Sequence, residues 1–292
     1  MLKPDKLLIV ANPTAGGYDR TVLEAVRAGL EKAGYHVTLH LTSRAGEMGE
    51  ICSAPTFDAG TLVIAGGDGS VNNALAGLQT QLNTPKLAII PCGTANVLAH
   101  ELKLPKKPQK IIEMLTGGQT IPLHAGLANG HPFVLMASSG FDAEVVHAIP
   151  LALKRRLGKL AYVVTALKLA FTRNPVDLEA KVDGEIYRGK LIVATNSRFY
   201  GGPFCVAPNE SVSRAGLHLL VLENDDVLSV IRFALALISN RMHKTKGVRV
   251  IPFEHARLHS PQAAAVQIDG DPFGATPVEL SISPITLEMI VP

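Results

Sequence analysis

The segment AGGDGSVNNALAGL, residues 65–78, decides the fold class, because it places a glycine-rich turn directly between a strand and a helix. The apolar run TLVIAGG (61–67) is typical of a buried strand, and helical spacing follows at about 71–79. Strands that pass through such turns into helices build parallel α/β sheets. The segment therefore predicts one βα unit of such a sheet, with a candidate ligand site at its turn.

The residue types in this turn favour a phosphate ligand. Gly66, Gly67 and Gly69 permit positive φ angles and let a ligand approach the backbone closely. The N-terminus of the following helix presents unpaired N–H groups and a positive dipole end to an anion. Asp68 would repel a bare phosphate, so its presence indicates a bound cation such as ATP-bound Mg²⁺, or an acceptor hydroxyl. The simpler alternative is an ordinary glycine-rich turn in which Asp68 only caps the helix.

The first third of the chain repeats this alternation of strands and helices. Strand patterns occur at 6–11, 36–42, 61–67 and 86–91, and helical patterns at 20–34, 71–79 and 95–102. Two further polar turns follow predicted strands, ANPTAGG at 11–17 and PCGTAN at 91–96. Because the carboxyl ends of parallel strands share one edge of a sheet, we expect the three turns to meet at that edge, where open α/β sheets bind ligands.

Near residue 120 the pattern changes to short apolar runs separated by turn signals, which indicates antiparallel β structure. Asp183-Gly184 is predicted to form a hairpin turn, and helical patterns interrupt the strands at 144–172 and 225–240. The expected fold class is a parallel α/β domain followed by a β-rich, sandwich-like domain. The predicted domains are 1–122, with 284–292 as a candidate addition, and 123–283.

Composition narrows the possible functions. A net charge of +3 and a low aromatic content argue against nucleic acid as the main partner. Cys52, Cys92 and Cys205 are far apart, which indicates neither a disulfide framework nor a zinc site and fits a reducing compartment. The most apolar later segments, 160–171 and 227–238, are too short to span a bilayer.

Three motifs together resemble a known family. NPTAGG, GGDGSVNNALAGL and PCGTANVLAHEL, in this order, are similar to the diacylglycerol kinase catalytic domain family, which includes sphingosine kinases and bacterial soluble lipid kinases. The likeness continues in SSGFDAEVVH (138–147), RRLGKLAY (155–162), ATNSRFYGGPFCVAPNES (194–211) and QIDGDP (267–272). It implies an N-terminal ATP-binding domain, a C-terminal lipid-substrate domain, and transfer of the γ-phosphate of ATP, bound with Mg²⁺, to a lipid hydroxyl.

The resemblance also implies roles for individual residues. Positions that would meet the nucleotide are Asn12, Thr42, Gly66, Gly67, Asp68, Gly69, Ser70, Asn72, Gly93 and Thr94. Asp68 is also expected in the catalytic set. Where such kinases typically read Asp-Gly-Glu, this chain has Asp269, Gly270 and Asp271. The proton acceptor is assigned to Asp271, with Asp269 as second choice, because the shorter Asp moves the carboxylate by about 1.5 Å.

A departure from the family concerns a second metal ion. Bacterial members often hold a structural Mg²⁺ through a loop that reads Leu-x-x-Asp-Gly-Leu. The matching segment here, 212–217, has Ala215 in place of the Asp and Arg214 beside it. We therefore expect this separate metal site to be absent, since no carboxylate would anchor the cation.

The expected partner is a lipid at a membrane surface. A basic cluster of Lys154, Arg155, Arg156 and Lys159 beside an apolar helix fits contact with anionic lipid, and it equally fits the solvated end of a core helix. The basic run 241–249 is expected to be a solvated loop. The expected location is cytoplasmic, with peripheral contact at the inner membrane face, and a homodimer is a family-based expectation.

Alternative functions remain open. NAD kinase shares the GGDG motif and a two-domain plan, although the PCGTAN segment favours a lipid kinase. The missing metal Asp and the variation at Asp271 leave room for a non-catalytic lipid- or nucleotide-binding regulator with the same fold. Ser138 precedes Ser139-Gly140, yet the surrounding pattern lacks the strand, elbow and helix of a hydrolase nucleophile.

Overall fold

A computed structural model describes residues 6–150, 153, 157–172 and 175–292. The chain divides into two compact units. The first runs to Leu123 and includes Ile285–Pro292, and the second is His124–Pro284. Among the described residues, no helix combines the length and apolar character that a membrane span requires.

The described residues of the first unit form a six-stranded sheet with accompanying helices. Its strands are β1 (Lys6–Ala11), β2 (His36–Leu41), β3 (Thr61–Gly66), β4 (Lys86–Pro91), β5 (Gln119–Leu123) and β20 (Leu287–Val291). Its helices are α1 (Arg20–Lys32), α2 (Glu47–Ser53), α3 (Asp68–Leu78), α4 (Val97–Glu101) and α5 (Pro108–Gly117). The strand order is β2-β1-β3-β4-β20-β5. Because β2 and β3 lie on opposite sides of β1, the order reverses at β1, and this is the switch point of the sheet.

Local chemistry explains how the strands and helices of this unit form. Every residue of β3 is buried, as in a parallel strand covered on both faces. Helix α1 begins where the side chain of Asp19 accepts a hydrogen bond from the amide of Thr21, at 2.8 Å. Helix α3 begins at Asp68, three residues earlier than predicted, because Gly67 alone makes the turn from strand to helix with an extended backbone.

The last strand of the first unit comes from the far end of the sequence. Strand β20 pairs with β4 in parallel and with β5 in an antiparallel register that runs from Leu287 opposite Leu123 to Val291 opposite Gln119. Residues 287–291 thus lie between two strands that are made long before them. The sheet of the first unit is therefore complete only when the chain returns from the second unit.

The second unit contains two six-stranded antiparallel sheets. One has the order β10-β9-β16-β19-β6-β7 and comprises β6 (Gly126–Ala128), β7 (His131–Phe133), β9 (Leu178–Val182), β10 (Glu185–Gly189), β16 (His255–His259) and β19 (Val278–Ile282). The other has the order β15-β14-β11-β8-β17-β18 and comprises β8 (Met136–Gly140), β11 (Leu191–Thr195), β14 (Leu217–Leu222), β15 (Val248–Phe253), β17 (Ala265–Ile268) and β18 (Asp271–Ala275). A small ribbon pairs β12 (Phe199–Tyr200) with β13 (Phe204–Cys205).

A single hydrophobic core joins the two large sheets. It contains Phe133 and Leu258 from the first sheet and Ile192 and Leu219 from the second, all of them buried. Two antiparallel sheets that share one core form a β-sandwich. The predicted fold class, a parallel α/β domain followed by a β-rich domain, is confirmed.

Helices of the second unit differ from the prediction. Those that lie within the described residues are α6 (Phe141–Ala148), α7 (Lys159–Thr172) and α8 (Val227–Ile238), followed by a 3₁₀ turn at Met242–Lys244. The expectation of one helix over 144–172 is wrong, because α6 ends before Ile149, which has an extended ψ of 117°. Pro150 follows, and proline disfavours a helical conformation in the residue before it.

Candidate active site

The three polar turns of the first unit meet at the switch point of its sheet. The amide of Asn12 donates to the carbonyl of Ala65 at 2.9 Å, and the amide of Gly17 donates to the carbonyl of Cys92 at 2.7 Å. The amide of Cys92 in turn donates to the carbonyl of Gly66 at 2.9 Å. These bonds join the turns that follow β1, β3 and β4, which confirms the expectation that they share one edge.

Two glycines bring the second and third turns into backbone contact. A Cβ atom at Gly67 would lie 2.9 Å from the Cα of Gly93, and a Cβ at Gly93 would lie closer still to the Cα of Gly67. No side chain fits at either position without displacement of the other turn. The two turns therefore pack backbone against backbone at the edge of the sheet, which requires glycine at both positions.

Asp68 links these two turns through its side chain. Its carboxylate oxygens accept hydrogen bonds from the amides of Val97 at 3.0 Å and Leu98 at 3.1 Å, the first two residues of α4. Asp68 thus caps the neighbouring helix rather than its own. The carboxylate of Asp68 therefore lies where the second and third turns meet.

Asn96 closes the third turn on itself. Its side chain accepts from the amide of Gly93 at 2.8 Å and donates to the carbonyl of the same residue at 2.7 Å. Its φ of 50° lies in the left-handed region, which asparagine tolerates better than most residues. In the structure Asn96 is the N-cap residue of α4, which begins two residues later than the predicted helical pattern at 95–102.

The other predicted nucleotide positions are distributed along the same edge. Asn12 accepts from the amide and the hydroxyl of Thr14, at 2.9 and 2.8 Å. Thr42 follows β2, is buried, and donates its amide to the carbonyl of Ala11 at 2.9 Å. Thr94 is exposed on the third turn, whereas Asn72 is buried within α3.

Glu47 orders the turn that contains Thr42. Its carboxylate accepts from the amide of Ser43 at 2.6 Å and from the hydroxyl of the same residue at 2.8 Å, and it contacts Nε2 of His40 at 2.8 Å. The Ser43 amide bond, followed by the His40 and Ser43 side-chain bonds, lowers the pKa of Glu47 to about 2. The turn after β2 is therefore held by an ionised carboxylate at neutral pH.

In the second unit, the predicted catalytic pair lies at the turn between β17 and β18. Asp269 and Gly270 form the turn with φ angles of 48° and 85°. The carboxylate of Asp269 accepts from the amides of Val134 at 2.8 Å, Leu135 at 2.8 Å and Met136 at 2.9 Å. All three bonds join the side chain to the backbone segment that leads into β8. Asp271, the first residue of β18, is exposed.

A chain of polar side chains supports this turn. The Gln267 side chain accepts from the amide of Gly270 at 2.8 Å and donates to the Ser138 hydroxyl at 2.6 Å. Asp142 accepts from the hydroxyls of Ser138 at 2.6 Å and Tyr200 at 2.9 Å. Burial raises the pKa of Asp142, and burial together with the nearby Asp142 carboxylate raises the pKa of Tyr200 well above its usual range.

Sequence reasoning missed this polar network. Its members belong to the segments SSGFDAEVVH, ATNSRFYGGPFCVAPNES and QIDGDP, whose family likeness was the only available signal. The hydroxyl of Ser138, a buried residue, contacts a carboxylate and an amide side chain. In the 212–217 segment, Arg214 donates to the carbonyl of Asn209 at 3.1 Å. Absence of a structural metal ion there stays a prediction.

Each of the two units matches a known domain family. Residues 6–128 match the diacylglycerol kinase catalytic domain, and residues 136–291 match the YegS C-terminal NAD kinase beta sandwich-like domain. The diacylglycerol kinase of Bacillus subtilis (strain 168) is 28% identical over 278 residues, which are 93% of this chain and 91% of that protein. The diacylglycerol kinase of Staphylococcus carnosus (strain TM300) is 26% identical over 284 residues, with 92% and 89% covered.

A solved structure has the same fold. The crystal structure of a candidate diacylglycerol kinase from Bacillus anthracis str. Sterne aligns with a TM-score of 0.84 at 22% identity, over 100% of this chain and 97% of that one. The two domain matches follow one another and together span almost the whole chain. The chain therefore belongs to the diacylglycerol kinase catalytic domain family, in the form that continues into a YegS-type C-terminal β-sandwich.

Proposed function

We propose that the protein is an ATP-dependent lipid kinase that transfers the γ-phosphate of ATP to a hydroxyl of diacylglycerol or a related lipid. The observation that carries this proposal is the meeting of three polar turns at the switch point of the parallel sheet. We assign nucleotide binding to the first unit and lipid binding to the second. The names of the relatives support diacylglycerol as the first lipid to test.

The edge of the first unit has features that suit a triphosphate. Gly67 and Gly93 let the second and third turns pack closely together, and α3 begins beside them with its positive dipole end. Asn12 and Thr94 add polar side chains along the same edge. Asp68 is the residue we assign to Mg²⁺ bound with the nucleotide, because it places a carboxylate, the oxygen ligand that Mg²⁺ prefers, between the second and third turns. That ion would neutralise charge on the transferred phosphoryl group.

The geometry of the second unit favours Asp271 over Asp269 as proton acceptor. The oxygens of Asp269 already accept three backbone amides, so this side chain holds the turn in place. Asp271 is exposed at the next position but one, where a substrate hydroxyl can reach it. Gln267 fixes the backbone between them through the amide of Gly270. We therefore assign positioning to Asp269 and proton acceptance to Asp271.

Contact with a membrane surface is part of the proposal. Lys154, Arg155 and Arg156 of the predicted basic cluster lie outside the described residues, as does the side chain of Lys159. Helix α7 exposes large apolar side chains one turn apart, with Leu160 at 63% and Val164 at 50%. This pair supports contact with lipid. The homodimer and the location at the inner membrane face remain predictions.

The function is tested by following labelled phosphate from ATP. Purified protein with MgCl₂ is offered diacylglycerol, phosphatidylglycerol and sphingosine in separate mixed micelles, and NAD in solution. We expect a phosphorylated lipid, and product formation about 10²- to 10⁴-fold slower with Asp271→Asn. Asp183→Asn serves as the matched control, because Asp183 lies in an Asp-Gly turn of the same unit and is exposed.

Other outcomes would replace the proposal by a named alternative. Phosphorylated NAD without phosphorylated lipid would make the protein an NAD kinase, a possibility kept open by the NAD kinase-like description of the C-terminal domain. ATP binding without transfer to any acceptor would favour the regulatory function.

A further inference from the structure

Helix α8 (Val227–Ile238) is apolar on both of its faces. Phe233 and Ala236 are buried against the second unit. The opposite face exposes four large hydrophobic side chains spaced three, four and three residues apart, namely Leu228 at 72%, Ile231 at 51%, Leu235 at 62% and Ile238 at 68%. We call these four residues the α8 stripe. A surface helix of a globular protein normally has polar residues on that side.

Exposed apolar surface is concentrated on this helix. The described part of the chain has eleven exposed large hydrophobic side chains, and five of them belong to α8, the fifth being Val230. Singly exposed hydrophobic residues are ordinary, but a contiguous patch marks an interaction surface. We therefore expect the stripe to contact an apolar partner.

The helix is held firmly at both ends. At its start, Asp226 accepts from the amide of Ser229 at 3.0 Å and from its hydroxyl at 2.5 Å. After its last turn, Asn240 accepts from the amide of Cys205 in β13 at 2.7 Å, and Met242 is buried. These contacts make α8 a fixed ridge on the second unit, so the stripe is a built surface rather than a fraying end.

Positive charge follows directly after the stripe. Arg241, Lys244 and Lys246 are all exposed, and within the described residues no carboxylate forms an ion pair with any of them. By contrast, Arg249 donates to Glu223 at 2.6 Å. Three exposed cations that form no ion pair within the described part of the chain, beside an apolar stripe, match the composition of an anionic bilayer, in which phosphates lie next to acyl chains.

We propose that α8 is a membrane-docking helix, which lies in the plane of an anionic bilayer with its stripe among the acyl chains and Arg241, Lys244 and Lys246 at the phosphates. Its twelve residues are too few to cross the bilayer. The purpose of such docking rests on the proposed lipid kinase function, because the protein would then take its substrate from the bilayer to which it binds. It replaces the expectation that the basic run after α8 is only a solvated loop.

The test measures vesicle binding without ATP, so that it does not depend on catalysis. The full-length protein is floated with phosphatidylcholine vesicles that contain or lack phosphatidylglycerol. Replacement of two stripe residues in Ile231→Ser/Leu235→Ser is expected to weaken binding about 100-fold, because two large side chains no longer enter the apolar phase. The matched control is Ile186→Ser/Leu82→Ser, which removes two exposed hydrophobic side chains elsewhere. We expect it to bind like wild type.

A second variant tests the charges. Lys244→Gln/Lys246→Gln is expected to lose about tenfold in binding to vesicles that contain phosphatidylglycerol, and little in binding to neutral vesicles. If the stripe variant binds both kinds of vesicle as tightly as wild type does, the docking helix is disproved. If wild type ignores vesicles and forms dimers that the stripe variant dissociates, a second copy of the chain covers the stripe and the proposal is equally overturned.

Activity measurements separate this inference from the proposed function. The stripe variant should lose activity toward diacylglycerol in vesicles and keep activity toward a short-chain diacylglycerol dissolved as monomers. Loss of both activities in a folded variant would show that α8 acts on catalysis rather than on docking. If wild type phosphorylates no lipid while vesicle binding still depends on the stripe, the kinase function fails and the docking helix stands.

Discussion

Two Asp-Gly turns of the second unit have the same backbone and different surroundings. Asp183 and Gly184 connect β9 to β10 with φ angles of 49° and 90°. Asp269 and Gly270 connect β17 to β18 with φ angles of 48° and 85°. Two-residue hairpin loops with positive φ at both positions favour the Asp-Gly sequence. Local chemistry thus accounts equally well for both turns.

The side chains separate the two turns. Asp183 is exposed, whereas Asp269 accepts three amides from residues more than a hundred positions earlier in the chain. Gly270 is further held by Gln267. An Asp-Gly pair is therefore sufficient to form a turn. The candidate catalytic turn also has hydrogen-bond partners that only the folded sandwich supplies.

Activity should show the largest difference between the turns. Asp271→Asn removes the assigned proton acceptor and should lower kcat by about 10²- to 10⁴-fold, because general base catalysis has that magnitude. ATP binding should be unchanged, since it is assigned to the other unit. Asp183→Asn should keep full activity. The measurement is transfer of labelled phosphate to lipid at saturating ATP, and near-normal kcat in Asp271→Asn would remove this residue from the mechanism.

Stability should show the next largest difference. Asp269→Asn turns an NH₂ group toward backbone amides that need an acceptor, and it should cost about 1.5 to 3 kcal/mol, the range for hydrogen bonds to charged groups. Asp183→Asn keeps a residue that suits the turn and should stay within about 0.5 kcal/mol of wild type. Urea unfolding measures both. Equal costs would mean that the three amide bonds add nothing beyond the turn itself.

Replacement of the glycine should destabilise the protein by a similar amount at either turn. Gly184→Ala and Gly270→Ala each force a side chain into a left-handed backbone, which costs about 1 to 2 kcal/mol. A Cβ at Gly184 would meet nothing within 4 Å, and one at Gly270 would meet only the Tyr162 hydroxyl at 4.0 Å. The same unfolding assay should therefore give similar values. A much larger loss of stability in Gly270→Ala would reveal strain that the three hydrogen bonds to Asp269 impose on this turn.

The smallest expected effect is on the pH dependence of stability. It concerns a carboxylate of the first unit that, like Asp269, accepts backbone amides. This is Glu47, whose pKa is lowered to about 2 from an ordinary value of 4.5. A lowered pKa contributes stability that is present above pH 4.5 and is lost as the pH falls toward 2. Glu47→Gln should therefore flatten the decline of stability with acid.

The control for this titration is Glu113→Gln. Glu113 contacts the side chain of Lys110 at 2.6 Å instead of backbone amides. Unfolding curves from pH 5 to pH 2 should show the wild-type decline in the control. If Glu47→Gln declines as steeply as wild type does, the hydrogen bonds to Ser43 and Arg44 do not stabilise the folded state.

Much of the fold follows from local sequence. The predicted strand bounds 6–11 and 86–91 match β1 and β4, and Asp183-Gly184 forms its hairpin, because alternation and turn chemistry act over a few residues. The glycine-rich pattern indicated Gly66, Gly67, Asp68 and Gly69, and family likeness supplied most of the other candidate site residues. The break at Ile149 was also local, and Pro150 was its signal.

The arrangement of the site could not be read in the same way. The contacts of Asp68 with the start of α4 depend on how β3 and β4 lie side by side. The bonds among Ser138, Asp142, Tyr200 and Gln267 join segments separated by up to 129 positions. Such partners are determined by tertiary packing, and no spacing rule in a single sequence identifies them.

The position of β20 has a consequence for biosynthesis. A ribosome delivers β4 and β5 early, but residues 287–291, which lie between these strands, emerge only after the whole second unit has been translated. The nascent first unit therefore waits with an open edge at β4, and open strand edges promote association with other chains. The usual order, in which the N-terminal domain folds first, cannot go to completion here. The time needed to translate the second unit thus sets how long this edge stays unpaired.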